Sequence, residues 1–245
     1  MDHPVAMGTA PAGSSSIGES FRGLIDVFFH PTELFQRVKE RPSVLVPFVV
    51  YLVIMVAFFF AVIDIIVEEQ INSPQFREQS AKMAEQGQQM PIETAKTFIK
   101  ASTWGFGMLA MALIPVIAAA LALFWGNFVW AGKASFRQLM SVMCYAGIIH
   151  ALSALAVLPL ILAKGSMLVT YSLGSLVSNK MDHMILFTAL SKIDLFIIWE
   201  VFVIGIGISI IYNFSRNKGL LVSVLSMGML SILHVIITTI GVLAQ

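Results

Sequence analysis

Residues 192–200 read Lys-Ile-Asp-Leu-Phe-Ile-Ile-Trp-Glu and open an apolar run that ends near Tyr212. The run consists mostly of Ile, Val, Phe and Gly, which is typical of a helix in lipid. It nevertheless contains Asp194 and Glu200. An aspartate at the centre of a membrane helix costs roughly 2.5–3.5 kcal/mol on insertion scales. We therefore expect these two carboxyl groups to face a protein interior or to lie near a membrane interface.

The composition identifies an integral membrane protein. Of its 245 residues, 58% are hydrophobic and 12% are charged, whereas a soluble domain has about 25% charged residues. The net charge of +1 gives no indication of a nucleic-acid partner. The single cysteine, Cys144, lies in an apolar run without the spacing of a metal site or a disulfide. Residues 1–20 lack the apolar core of a signal peptide, so we expect the first spanning helix to act as the insertion signal.

The apolar runs predict an all-α, polytopic protein with a five-helix membrane domain in residues 43–243. Each run is long enough to cross a bilayer, which takes about 20 residues. Five spans would place the two ends of the domain on opposite sides of the membrane. The predicted spans are 43–67, 104–131, 139–163, 190–212 and 219–243.

The polar residues 68–103, between the first two predicted spans, are predicted to form a helical extracytoplasmic loop. Asn72-Ser73-Pro74 and Met90-Pro91 are typical helix starts, since proline suits the first helical position. The second start precedes apolar residues at the spacing of one helix face: Ile92, Ala95, Phe98 and Ile99. We therefore expect two short helices outside the bilayer.

The segment before the first span divides into two parts. Residues 1–20 are rich in small and polar residues and are expected to be disordered. Residues 21–42 form an amphipathic segment, in which Leu34, Phe35 and Val38 recur at helical spacing. Two interpretations remain open for this segment. It lies on the membrane surface as an interfacial helix, or it packs on the bundle as a cytoplasmic lead-in.

Basic residues predict the orientation of the chain. They concentrate before the first predicted span and in the two short turns that follow the second and fourth spans. The positive-inside rule places such residues in the cytoplasm. We therefore expect a cytoplasmic N-terminus and an extracytoplasmic C-terminus. The residues concerned are Arg37, Lys39, Arg41, Lys133, Arg137, Arg216 and Lys218.

Three ionisable residues lie inside the predicted spans at similar depth. A rise of 1.5 Å per residue places His150, Glu200 and His234 roughly 16–22 Å from the cytoplasmic ends of their helices. In one interpretation they converge and form a proton relay or a cation site. In the other they are neutral and hydrogen-bonded within the bundle. No tight ligand spacing supports a metal site, so neither a metal nor another cofactor is predicted.

Two further groups of residues carry predictions. Asp64, Lys192 and Asp194 lie toward the outer face, where we expect them to form an interfacial ion pair. Small residues in the fourth and fifth spans allow close approach of helices, either between these two spans or in a homo-oligomer. The small residues are Gly205, Gly207, Ser209, Ser223, Ser226 and Gly228.

Three short motifs resemble those of the YIP1 family of membrane proteins. They are His30-Pro31-Thr32-Glu33-Leu34-Phe35, then Ser135-Phe136-Arg137-Gln138-Leu139 followed by Tyr145-Ala146, and Asp194-Leu195-Phe196 with Trp199, Gly205 and Gly207. The resemblance covers roughly residues 28–240 in order and spacing, and it is to bacterial members. It implies a five-helix membrane domain in the bacterial inner membrane, with a cytoplasmic N-terminus and an extracytoplasmic C-terminus.

Two functions are compatible with these features. The absence of a nucleophile–base pair or a phosphate-binding loop favours a non-enzymatic protein. With the resemblance, it favours a scaffold or adaptor in membrane protein assembly or traffic, which binds lipid and other membrane proteins, or further copies of itself. The alternative is a proton- or cation-coupled transporter or channel subunit that uses His150, Glu200 and His234.

Overall fold

The structure is a computed structural model that describes residues 17–88, 90–180 and 183–243. Every regular element in these ranges is helical. The elements are α1 (Ile17–Phe29), α2 (Pro31–Glu40), α3 (Leu45–Asn72), α4 (Pro74–Glu85), α5 (Ile92–Leu123) with a π-helix (Phe124–Val129), α6 (Phe136–Lys164), a 3-10 turn (Leu173–Leu176), α7 (Met184–Leu190), α8 (Leu195–Tyr212) and α9 (Arg216–Leu243).

Five of the described helices are long and apolar enough to cross a membrane, namely α3, α5 with its π-helix, α6, α8 and α9. This confirms the predicted five-span, all-α class. The helices do not end where the apolar runs end. Helix α3 continues to Asn72 and α5 begins at Ile92, because backbone hydrogen bonding continues past the last apolar side chain. Helix α8 begins at Leu195, five residues after the predicted start.

Side-chain caps determine where several helices begin. The Asp194 carboxylate accepts hydrogen bonds from the backbone N–H groups of Phe196 (2.7 Å) and Ile197 (3.3 Å) at the start of α8. Ser135 and Gln138 form a reciprocal capping box at the start of α6. Ser73 caps α4, and Pro74 occupies its first position. Each cap satisfies backbone donors that have no partner within the helix.

The segment before the first span is helical from Ile17 onward and contacts α6. Residues 1–16 of the expected disordered tail lie outside the described residues, but residues 17–20 belong to α1. Gly23 of α1 lies against the Tyr145 ring of α6, so that an added Cβ atom would be 2.7 Å from Tyr145 Cε1. The Tyr145 hydroxyl donates to the Ser20 carbonyl oxygen at 3.3 Å. These contacts with α6 order the beginning of α1.

The amphipathic segment forms two helices, α1 and α2, that differ in burial. In α2, Leu34, Phe35 and Val38 are buried, and the helix packs on α8 and α6. In α1, by contrast, an apolar residue at every fourth position is exposed, as in a helix whose apolar face enters the membrane interface. These exposed residues are Ile17, Phe21, Ile25 and Phe29.

The connection between the first two spans contains one separate helix instead of two. Helix α4 matches the first predicted helix, whereas the second is continuous with α5. Two ion pairs hold the beginning of α5 against the end of α3. Lys100 Nζ lies 2.7 Å from Asp64 Oδ1, and Lys96 Nζ lies 2.9 Å from Glu68 Oε1.

Helix α6 forms the centre of the bundle, where it packs against α3, α5 and α8. Small residues bring α8 and α9 close together: a Cβ atom on Gly205 would lie 2.9 Å from the Leu220 Cα atom, and Ser223 Oγ donates to the Val201 carbonyl oxygen at 2.7 Å. Gly207 instead faces Val142 of α6 and Phe35 of α2. The small residues therefore serve more than one helix contact.

Candidate functional site

The structure brings two of the three predicted intramembrane residues together. His150 of α6 and Glu200 of α8 face each other, with 3.6 Å between His150 Nδ1 and Glu200 Oε2. This distance is that of an ion pair and is too long for a hydrogen bond. The Glu200 side chain is 9% exposed, whereas the His150 side chain is 48% exposed at the surface of the bundle. The pair thus joins a buried carboxyl group to an imidazole that reaches the outside of the protein.

Local sequence explains how this pair forms. The Asp194 cap starts α8 at Leu195, which places Glu200 on the second turn and inside the bundle. On α6, Gly147 leaves room for Tyr51 of α3, and an added Cβ atom would lie 3.4 Å from the ring. Gly147 thus lets α3 pack closely against α6 one turn before His150. A histidine beside a carboxyl group can accept a proton from it or return one.

His234 does not join this pair. In the described residues it makes no ion pair, and its carbonyl oxygen accepts a hydrogen bond from Thr238 Oγ1 at 3.0 Å. Ser223 of α9 lies level with Val201 near the start of α8. His234 follows eleven residues later, about 16 Å farther along the axis. It therefore lies beyond the start of α8, where its side chain is exposed, and the equal depth assumed for the three residues does not hold.

The predicted interfacial ion pair does not form between the three expected residues. Asp64 pairs with Lys100, because α3 packs beside α5 at this level. Asp194 is buried as the N-cap of α8 and uses its carboxylate there. Lys192 forms no ion pair within the described ranges, and burial lowers the pKa of its ammonium group. An N-cap typically stabilises a helix by about 1 kcal/mol, whereas a surface ion pair typically contributes under about 1 kcal/mol. Asp194 therefore caps α8 and does not pair with Lys192.

A buried acidic residue that sequence reasoning missed lies in α1. Asp26 is 6% exposed and accepts a hydrogen bond from the Arg37 guanidinium of α2. Its carboxylate also lies 3.6 Å from Arg22 Nε and 4.0 Å from His30 Nδ1. The i, i+4 spacing of Arg22, Asp26 and His30 was a usable signal, since such residues share one helix face.

An aromatic contact at the end of α8 was also absent from the sequence predictions. The Tyr212 ring lies between Gly126 of the π-helix and Gly132 of the following turn. A Cβ atom on Gly126 would be 2.6 Å from Tyr212 Cε2, and one on Gly132 would be 2.8 Å from Tyr212 Cε1. The ring also stacks on Phe214, with 4.8 Å between the centroids. These two glycines provide the space that the ring occupies.

The basic residues of the short turns gather at one end of the bundle. Lys39 Nζ donates to Asn213 Oδ1 at the end of α8, and Gln138 Nε2 at the start of α6 donates to the Lys39 carbonyl oxygen at 2.8 Å. We call this end, which carries Lys39, Arg41, Lys133, Arg137, Arg216 and Lys218, the basic end. Among the residues that the structure describes, no group of three His, Cys, Asp or Glu side chains could hold a metal ion.

Comparison with known proteins gives one match. The family model of the Yip1 domain matches residues 25–238, which extend from α1 into α9. No curated protein and no solved structure matches the chain. The matched region contains all three motifs noted in the sequence and most of the five long apolar helices. The chain therefore belongs to the Yip1 family of membrane proteins.

Proposed function

We propose that this protein is a non-enzymatic membrane scaffold or adaptor that binds other membrane proteins through the outer half of α9. The observation that carries the proposal is the position of Gly228. A Cβ atom there would meet no other atom of the described residues within 4 Å. A glycine inside a helix costs about 1 kcal/mol relative to alanine. Packing against the described residues provides no reason for that cost, either here or at Gly105 of α5.

The residues around Gly228 fit a lateral helix partner. Gly228, Ile232, Ile236 and Ile240 form a ridge at four-residue spacing, and the three isoleucines are exposed. We call these four residues the α9 ridge. Ridges of this spacing pack into the grooves of a neighbouring helix. In a membrane, a small residue allows the two backbones to approach closely and gain dispersion contacts.

Site-specific photo-crosslinking in native membranes tests this function. A photoreactive residue at Ile232 should capture a defined membrane protein, and Gly228→Leu should abolish the adduct because the added side chain keeps the partner helix away. The same photoreactive residue at Phe60, an exposed position on α3, serves as the control. Lipid adducts alone at Ile232, or a protein adduct that Gly228→Leu does not change, would contradict the proposal. Capture of a second copy of this chain would show that the α9 ridge mediates homo-oligomerisation and does not bind a different membrane protein.

A second candidate function is proton- or cation-coupled transport of a small solute. The His150–Glu200 pair favours it, because a buried carboxyl group beside a partly exposed imidazole is an arrangement that can pass a proton. His234 would act separately from this pair. It lies in the second half of α9, away from the basic end.

Proton flux into liposomes containing the purified protein distinguishes the two functions. If the pair carries protons, the wild-type protein should acidify the lumen under an imposed potential, and Glu200→Gln should remove most of this flux. Glu33→Gln, a matched change on the exposed surface of α2, should leave the flux unchanged. Flux no greater than in protein-free vesicles would exclude this role.

We also propose that the basic end faces the cytoplasm of a bacterial cell, with the chain in the inner membrane. The clustering of basic residues at this end supports the proposal, since cytoplasmic segments retain Lys and Arg. Single-cysteine variants in a Cys144→Ser background test it. Ser215→Cys should react with a membrane-impermeant maleimide only after cell lysis, whereas Gln86→Cys should react in intact cells. The reverse pattern would invert the orientation.

A further inference from the structure

A cavity of about 460 Å³ lies at the end of the bundle opposite the basic end, between α4, the end of α3 and the start of α5. We call it the α4 cavity. It exists because α4 packs loosely on α3, so that none of the residues of α4 is fully buried. Most of its lining is apolar and consists of Ile71, Phe76, Met83, Met90 and Ile92.

The α4 cavity lies outside the hydrocarbon of the membrane. Ile71 follows Glu68 and Glu69 directly, and it lies about 10 Å beyond Asp64 along the axis of α3. Carboxylates at these positions place this part of α3 in water, since charges inside the hydrocarbon are costly. Met90 is nevertheless 51% exposed. Lipid therefore does not cover these apolar side chains, whereas the apolar part of a ligand can.

The polar part of the lining contains one charged side chain, that of Arg77. Ser80 lies one turn farther along α4, and Asn72 contributes its amide from the end of α3. The distance from Arg77 Nη2 to Asn72 Oδ1 is 3.4 Å, which is at the long limit for a hydrogen bond. Within the ranges that the structure describes, Arg77 forms no ion pair. Most of its N–H donors therefore remain available to a ligand.

The charge of this guanidinium group is not neutralised by the surrounding residues. Of the described residues, none that lines the cavity carries a carboxylate. Glu85 lies eight residues after Arg77, about 12 Å farther along α4. The other acidic residues near the cavity have partners of their own, namely Glu78 with Lys82, Glu68 and Glu93 with Lys96, and Glu69 with Ser166. The lining therefore favours an anionic group on the ligand.

We propose that the α4 cavity binds an amphiphile with a single apolar chain and an anionic headgroup, which is a long-chain fatty acid or a single-chain phosphate ester. The chain lies against the apolar wall, where Met83 and Met90 adapt to its shape. Arg77 binds the headgroup, since a guanidinium group matches carboxylate and phosphate oxygens in geometry and charge. The volume is near the lower end of the range of small-molecule pockets, which favours one chain over the two of a phospholipid. This inference is independent of the proposed adaptor function, which rests on α9.

Crosslinking of the full chain with a photoreactive fatty acid in phosphatidylcholine nanodiscs tests the assignment. The probe carries a diazirine on its chain, and peptide mass spectrometry locates the adducts. The yield on α4 is divided by the yield on the lipid-facing residue Phe128, which measures the probe dissolved in the bilayer. The wild-type protein should give adducts on α4. An excess of oleate or of dodecyl phosphate should remove them, whereas uncharged oleyl alcohol should not.

Variants of the lining test the headgroup and the chain separately. Arg77 is exposed, so that Arg77→Gln should leave the fold intact. It should lower the yield on α4 about tenfold, the effect of losing one charged hydrogen bond. Ser80→Phe keeps the guanidinium group but fills the cavity, and it should also lower the yield. Lys164→Gln, an exposed cation at the same end of the bundle but outside the cavity, should leave the yield unchanged.

The competitors and the variants also define the results that overturn the proposal. These are adducts confined to the spanning helices, equal competition by oleyl alcohol, or an unchanged yield in Arg77→Gln. Loss of the α4 adducts when phosphatidylglycerol replaces part of the phosphatidylcholine would assign the site to a two-chain lipid and would overturn it as well. Stronger competition by oleate identifies a carboxylate headgroup, and stronger competition by dodecyl phosphate identifies a phosphate ester. Both of these results support the proposal.

Discussion

Replacing Gly126 with alanine should lower the free energy of unfolding by about 1–3 kcal/mol, the usual cost of overpacking a filled site. The new methyl group would overlap the ring of Tyr212, which is 6% exposed and stacked on Phe214. The ring cannot move toward the other side, because Gly132 already lies against it. The contact joins the π-helix at the end of the second span to the end of α8.

The unfolding midpoint of the purified protein in an SDS titration measures this effect. Gly105→Ala is the matched control, because Gly105 lies on the same long helix and an added Cβ atom would meet none of the described atoms within 4 Å. That control should not destabilise the protein, since alanine is the better helix former. In a Tyr212→Ala background the cost of Gly126→Ala should disappear. Equal midpoints for Gly126→Ala and the wild-type protein would contradict this account.

Replacing Asp26 with asparagine should also lower the free energy of unfolding, by about 1.5–3 kcal/mol, the contribution of a hydrogen bond to a charged group. The Asp26 carboxylate is nearly inaccessible to solvent and holds α2 against α1 through Arg37. The loss should stay below the values for fully buried ion pairs, because the Arg37 side chain is 39% exposed and can turn toward water.

Glu33→Gln provides the matched comparison for Asp26→Asn. Glu33 is an exposed residue of α2, so its change to an amide should leave the unfolding midpoint in place. Arg37→Gln should destabilise the wild-type protein but have little further effect once Asp26 is asparagine, since both substitutions remove the same contact. Additive losses from Asp26→Asn and Arg37→Gln would show that the two side chains act independently.

The parts of the fold that could be predicted are those in which one contribution to the free energy is larger than all others. Transfer of apolar side chains into lipid is such a contribution, and it identified all five spanning helices from hydropathy alone. The start of α4 was also visible, because Ser73-Pro74 carries the chemistry of a cap and a first turn, whereas Asp194 was expected in an ion pair and instead caps α8. The three motifs that resemble the YIP1 family lie within the matched region.

The candidate site shows where such reasoning ends. Depth along each helix was estimated from sequence, but contact also requires the correct level and rotation of neighbouring helices. His150 and Glu200 meet because α6 and α8 pack directly, with small residues next to His150. His234 does not, because α9 lies along α8 so that Ser223 is level with Val201, which leaves His234 about 16 Å beyond that level.

The sequence by itself determined the class of protein, the number of spans, the gathering of basic residues near particular helix ends and the family. These properties depend on side-chain transfer energies and local capping, which each short segment carries within itself. The tertiary structure alone decided that His150 meets Glu200, that Asp26 holds Arg37, and that Tyr212 fits between Gly126 and Gly132. Each of these contacts joins different helices, and its free energy depends on distances that packing of the whole bundle determines.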